Sequence, residues 1–132
     1  MVQIAAYFSG LLSFAIVDFG WLSVMVPRFY QPALRDILAE KISAPPALIF
    51  YLLYPLGLVV LVVLPALKET DLLPVALRGA LMGFICYATY DLTNQATLRA
   101  WPTALTLVDM AWGTVLSGFA AVISFWVARK LI

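Results

Sequence analysis

The stretch that decides the fold is TALTLVDMAWGTVLSGFAAVISFWVA, residues 103–128, in which Asp109 is the only charged side chain. A helix needs about 20 predominantly apolar residues to cross the hydrocarbon core of a bilayer. The stretch is long enough and apolar enough to do so, and Arg129 and Lys130 follow it directly. We therefore predict that it is a transmembrane helix.

Three further runs have the same character, and they cover residues 3–26, 44–67 and 75–98. Between the first two lies a more polar segment, residues 30–42, in which Leu34, Ile37 and Leu38 share one helical face. Such a segment is typical of an amphipathic helix at the membrane interface. The sequence thus predicts an all-α integral membrane protein with a single domain over residues 1–132. It is a four-transmembrane-helix bundle with a short amphipathic interfacial helix between spans 1 and 2.

The composition agrees with this prediction and excludes several classes of protein. The chain has 132 residues, of which 64% are hydrophobic and 11% charged, whereas an ordinary soluble domain is about half apolar and about a quarter charged. A net charge of +1 offers no basic surface for nucleic acid. The sequence contains no His, which excludes His-ligated haem, His-based zinc sites and Ser-His-Asp triads. We expect no cofactor and no metal site.

The orientation in the membrane is not decided by the charged residues. Four spans place both termini on one side, and the two sides carry four Lys or Arg residues each. We expect cytoplasmic termini, because Arg129 and Lys130 are adjacent and the N-terminal amine adds a charge. A dual-topology protein that inserts both ways is the alternative. The single cysteine, Cys86, lies in an apolar run and is expected to be a small buried thiol.

Three carboxylates lie inside the predicted spans, where each costs about 2.5–3.5 kcal/mol at the centre of a membrane helix. Asp18 precedes Pro27 by nine residues, Asp91 precedes Arg99 by eight, and Asp109 follows Trp101 by eight. At 1.5 Å per residue, each acid lies about 12–14 Å from the same membrane face. We therefore expect the three acids to occupy one layer of the bundle.

Aromatic and amide side chains accompany the acids at helical spacing. Residues three apart share a helix face, and the residues placed in this layer are Asp18 with Trp21, Asp109 with Trp112, Tyr51 with Tyr54, and Tyr87 with Tyr90, Asp91 and Asn94. The layer is either a ligand-binding and proton-coupling site or a structural hydrogen-bond network in which hydroxyl, indole and amide groups satisfy the acids. Small residues predict close helix approach, Gly79 and Gly83 in span three and Gly113 and Ser117 in span four.

These motifs resemble those of a known family. The segments that carry the resemblance are YATYDLTN at 87–94, ATL at 96–98, WP at 101–102, VDMAWGT at 108–114 and FYLLY at 50–54, with Asp18, Trp21 and Leu22. The family it resembles comprises small bacterial predicted membrane proteins and is known only as a domain of unknown function. The resemblance implies a multi-pass protein of the bacterial inner membrane with four spans, and it implies no activity.

Three functions are open on this reasoning. The favoured one is binding or proton-coupled transport of a small cationic or amphipathic molecule, because acids beside aromatic rings suit cation recognition and a desolvated carboxyl can exchange protons. The second is an accessory or assembly subunit of a membrane complex, and the third is a lipid- or isoprenoid-modifying enzyme. We favour a function without enzyme activity, since no span carries paired DxxxD acids. The expected partners are membrane lipid, a second copy of the chain or a partner membrane protein, but not nucleic acid.

Overall fold

The four predicted spans correspond to four long helices in a computed structural model, which describes residues 1–35 and 37–132. The helices are α1 (Val2–Leu34), α2 (Ala44–Lys68), α3 (Leu72–Thr97) and α4 (Thr103–Arg129), and each is long and apolar enough to cross a membrane. The prediction of an all-helical, four-span protein is confirmed. The observed bounds differ most from the expected ones at the end of the first span.

The first helix continues through Pro27, where the sequence predicts a turn. Val2–Met25 is α-helical, Val26–Tyr30 forms a π-helical turn, and Gln31–Leu34 is α-helical again. Proline lacks an N–H group, and its ring crowds the carbonyl group four residues earlier. A wider π turn accommodates such a residue without ending the helix. Because of the π turn, the residues after Pro27 continue the helix and remain packed along the bundle.

The expected interfacial helix over residues 30–42 is wrong. Residues 30–34 are the end of α1, and the described part of the connection from residue 35 to residue 43 contains no helix. The backbone N–H groups of Ile37 and Leu38 both donate to the Leu34 carbonyl group, which makes a turn. Leu34 is buried, but Ile37 and Leu38 are largely exposed, so the three do not form one packed face. Asp36, within the same expected helix, lies outside the described residues.

Helices α3 and α4 form the closest pair in the bundle because glycine and serine line their contact. A Cβ atom added to Gly83 would overlap the Gly113 carbonyl oxygen and the Ser117 side chain, and one added to Gly79 would lie 2.6 Å from the Ala121 Cβ atom. The expected close approach at these small residues is therefore present. It also brings α4 near the α3 side chains that follow Gly83.

Helix α2 packs unevenly along its length. Its second half, which includes a π-helical turn over Val59–Val63, packs against α1, α3 and α4 and buries Leu58, Val59 and Val63. Its first half packs chiefly against α1. The first half of α2 is therefore separated from α3, and a cleft lies between them.

Candidate functional site

Asp18 lies at the centre of a hydrogen-bonded cluster that joins three helices. This residue is only 5% exposed. The Tyr51 hydroxyl group donates to Oδ2 at 2.6 Å from α2, and the Trp112 indole N–H donates to Oδ1 at 2.9 Å from α4. Both oxygens of this carboxylate are thus satisfied, and Asp18 fixes the relative positions of α1, α2 and α4.

Asp109 is held by the extension of α1 beyond Pro27. The Tyr30 hydroxyl group donates to Asp109 Oδ1, and the Trp21 indole N–H donates to the Tyr30 hydroxyl oxygen at 3.2 Å. A regular α-helix turns about 100° per residue, which would place Trp21 and Tyr30, nine residues apart, on opposite faces. The π turn between them changes this angle and allows the contact.

The Asp18 and Asp109 clusters are connected through two indole rings. Trp21 and Trp112 stack with their ring centroids 4.1 Å apart and their planes 6° apart. Trp112 also donates to Asp18, and Trp21 donates to the tyrosine that holds Asp109. The layer of acids expected from the sequence is therefore a connected polar network across the bundle.

Asp91 differs from the other two acids because no described group donates a hydrogen bond to its carboxylate. Its side chain is 0% exposed, and neither carboxylate oxygen has a hydrogen-bond partner among the described residues. The carboxyl group of Asp109 lies within hydrogen-bonding reach of it. A buried polar group without a partner is rare and costly, so this pair of acids requires an explanation.

A cleft of about 400 Å³ lies between the first half of α2 and α3, and Asp109 forms part of its lining together with Phe50, Tyr54, Cys86, Tyr87 and Tyr90. Among these residues Asp109 is the only one that carries a charge. We call this cavity the aromatic cleft. Cys86 is exposed, so the expectation of a buried thiol is wrong: the residue lies on the face of α3 that α2 leaves uncovered.

A second cavity, of about 670 Å³, lies beneath the connection between α1 and α2. We call it the vestibule. Its lining includes Tyr30, Leu34 and residues 38–42 of the connection, together with Tyr90 and Asp109. Tyr90 and Asp109 therefore line both cavities, and Asp109 lies at the junction between them.

The structure brings together most of the residues expected in the site. Those in the polar network are Asp18, Trp21, Tyr51, Asp91, Asp109 and Trp112, and those that line the aromatic cleft are Tyr54, Tyr87 and Tyr90. Asn94 lies on α3 after Asp91, and among the described residues it lines neither cavity. Its side chain lies within reach of the Tyr90 hydroxyl group, so it contacts the site from outside the two cavities.

Tyr30, Phe50 and Cys86 belong to the site, but the sequence did not predict them there. Tyr30 follows Pro27, and a proline within an apolar run normally predicts a helix end. The Tyr30 hydroxyl group could have been predicted to reach the acids only if the helix was expected to continue beyond Pro27. Phe50 lines the cleft next to Tyr51 in sequence. It has an apolar side chain, so a search for polar residues within the spans does not find it. Within residues 1–35 and 37–132, no three Cys, Asp or Glu side chains converge closely enough to hold a metal ion.

Four membrane-length helices and a buried layer of acids define a multi-pass membrane protein with four candidate spans. Residues 3–126 match the family described as "Predicted membrane protein (DUF2177)", and the chain belongs to this family. The resemblance to a membrane family of unknown function is thereby confirmed. No curated protein and no solved structure matches the chain.

Proposed function

We propose that the protein binds a small organic cation in the aromatic cleft, with the Asp109 carboxylate as its counter-charge, and exchanges it for a proton. The observation that carries this proposal is the lining of the cleft, in which one carboxylate lies among four aromatic rings. A volume of about 400 Å³ is within the range of small-molecule sites. We further propose a location in the bacterial inner membrane with cytoplasmic termini.

The aromatic rings of the cleft are arranged as a continuous wall. Tyr54 lies between its neighbours, with its ring centroid 5.6 Å from that of Phe50 and 6.3 Å from that of Tyr87. The hydroxyl groups of Tyr54 and Ser117 are hydrogen-bonded at 2.7 Å, which fixes the ring. A cation over such rings gains about 0.5–2 kcal/mol per contact, and more where water is excluded.

A preference for cations over anions distinguishes this function from the binding of lipid tails or of a partner helix. An apolar cleft without Asp109 would accept any hydrophobic molecule of suitable size. With the carboxylate in its lining, it should favour a cation and reject an anion of the same shape. A cleft that binds a partner helix in an accessory or assembly subunit would show no preference for a cation over an anion.

The test uses tetraphenylphosphonium and tetraphenylborate, a cation and an anion of nearly identical size and shape. We expect the protein in lipid nanodiscs to bind the phosphonium saturably in titration calorimetry, and to bind the borate no more than empty nanodiscs do. Equal binding of both ions, or of neither, would contradict the proposed function. Empty nanodiscs of the same lipid correct for partitioning into the bilayer.

A further inference from the structure

The Asp91–Asp109 pair is the feature that cation binding alone does not explain. Asp91 is fully buried on α3, and both of its carboxylate oxygens lack a partner among the described residues. It faces Asp109 on α4, which accepts a hydrogen bond from Tyr30. Two ionised carboxylates in contact repel each other, and neither has a hydrogen to donate. A single proton between them would remove the repulsion and provide the missing donor.

Among the residues that the structure describes, no Lys or Arg side chain forms an ion pair with either acid of the pair, although Lys41 lines the vestibule together with Asp109. The titratable groups around the pair are Tyr30 and Asp18 from α1 and Tyr87 and Tyr90 from α3, all of them neutral or acidic. The ion pair found in the described part of the chain joins Arg78 and Glu69, and it involves none of these acids. The repulsion within the pair is therefore not offset by an ion pair with a described side chain, and a bound proton would offset it.

We propose that Asp91 and Asp109 form a proton site that holds one proton between two carboxyl groups, and that this proton leaves when an organic cation occupies the aromatic cleft. The second half of this statement rests on the proposed function; the first half does not. The O–H bond of the carboxyl group breaks, the proton passes to water, and the electron pair remains on the carboxylate that faces the cation. One positive charge enters as one leaves.

The two cavities provide separate approaches to the pair. The aromatic cleft reaches Asp109 from between α2 and α3. The vestibule reaches the same carboxylate from beneath the connection between α1 and α2, where Glu40 and Lys41 also line it. The cation would thus approach Asp109 from one side, and the proton would leave on the other. Such an arrangement allows the two to exchange without sharing a path.

The experiment compares the wild-type protein with Asp91→Asn. An asparagine at this position has the same shape, and its NH₂ group can donate to Asp109 without a bound proton. Infrared spectra should show a carbonyl band from a protonated carboxyl group in the wild type without ligand. That band should vanish on saturation with tetraphenylphosphonium and should be missing from Asp91→Asn. Asp71→Asn, at the exposed start of α3, should retain the wild-type band.

A pH-indicator dye in weakly buffered solution measures the exchange itself. We expect the wild type to release about one proton per phosphonium bound, and its dissociation constant to fall about tenfold per pH unit where the pair is protonated. Asp91→Asn should release none and bind with a dissociation constant that does not change with pH. Phosphonium binding without proton release from the wild type would overturn the exchange.

The infrared carboxyl band tests whether the pair holds a proton even if the cation does not bind. A wild-type protein that fails to bind tetraphenylphosphonium but shows a carboxyl band lost in Asp91→Asn would overturn the proposed function and keep the proton site. A wild type without the band, or a band unchanged in Asp91→Asn, would overturn the proton site. A band that disappears on addition of sodium chloride, but not of choline chloride, would instead indicate a sodium site and contradict the proposal.

Discussion

Replacing Gly113 by alanine is expected to lower the free energy of unfolding by about 1–3 kcal/mol, the usual cost of forcing an extra methyl group into a packed contact. The Tyr87 ring lies directly against Gly113, and a Cβ atom there would overlap the ring carbons. The carbonyl oxygen of the same glycine lies against Gly83 on α3. The nearest overlapped atom is the Tyr87 Cγ atom, which lies next to the α3 backbone. Rotation of the ring therefore does not remove the overlap, and α3 and α4 must separate.

Gly20→Ala is the matched control for this prediction. Gly20 is exposed on α1, and a Cβ atom added to it would meet nothing within 4 Å. Since alanine favours a helix over glycine by about 1 kcal/mol, this variant should be as stable as the wild type or more so. Unfolding in detergent micelles, followed by circular dichroism, measures both. A Gly113→Ala protein of wild-type stability would show that the tight α3–α4 contact is absent.

Asp109→Asn is expected to weaken the binding of tetraphenylphosphonium about tenfold to a hundredfold. A contact with an ionised group contributes about 1.5–3 kcal/mol, and 1.4 kcal/mol corresponds to tenfold in affinity. The asparagine carbonyl oxygen still accepts the hydrogen bond from Tyr30, and its NH₂ group can donate to Asp91. The fold and the cleft should therefore remain while the charge is lost.

Calorimetric titration in nanodiscs measures this loss, and Asp71→Asn serves as its control. Asp71 is exposed at the start of α3, so its substitution removes one carboxylate without touching the cleft. We expect wild-type affinity from Asp71→Asn. If Asp109→Asn also retained wild-type affinity, the counter-charge would not be Asp109, and the cation would have to bind elsewhere.

The sequence predicted the layer of acids because depth can be counted along a helix. A residue rises by a constant amount per helical step, and Asp91 and Asp109 lie equally far from the helix ends at Thr97 and Thr103. The level of Asp18 was counted from Pro27, although α1 continues beyond that proline to Leu34. Close helix approach at Gly79 and Gly83 and at Gly113 and Ser117 was predictable from their spacing, since small residues permit it. The sequence did not predict that these two sets of residues pack against each other.

The sequence did not predict which hydrogen bonds the acids form or where the cavities lie. The role of Tyr30 depends on a helix that passes through Pro27 with a π turn, and no local signal fixes that choice. The aromatic cleft depends on the divergence of the first half of α2 from α3, which is set by tertiary packing. For the same reason Cys86, in an apolar run, is exposed rather than buried.

The most direct test of the account is to locate the bound cation with a fluorine label on Cys86, the single cysteine of the chain and part of the cleft lining. A trifluoromethyl group attached to its sulfur gives one ¹⁹F resonance. Tetraphenylphosphonium should shift this resonance saturably in the wild type, and only at much higher concentration in Asp109→Asn. A resonance that stays unchanged while calorimetry detects saturable binding would place the cation outside the aromatic cleft and contradict the account.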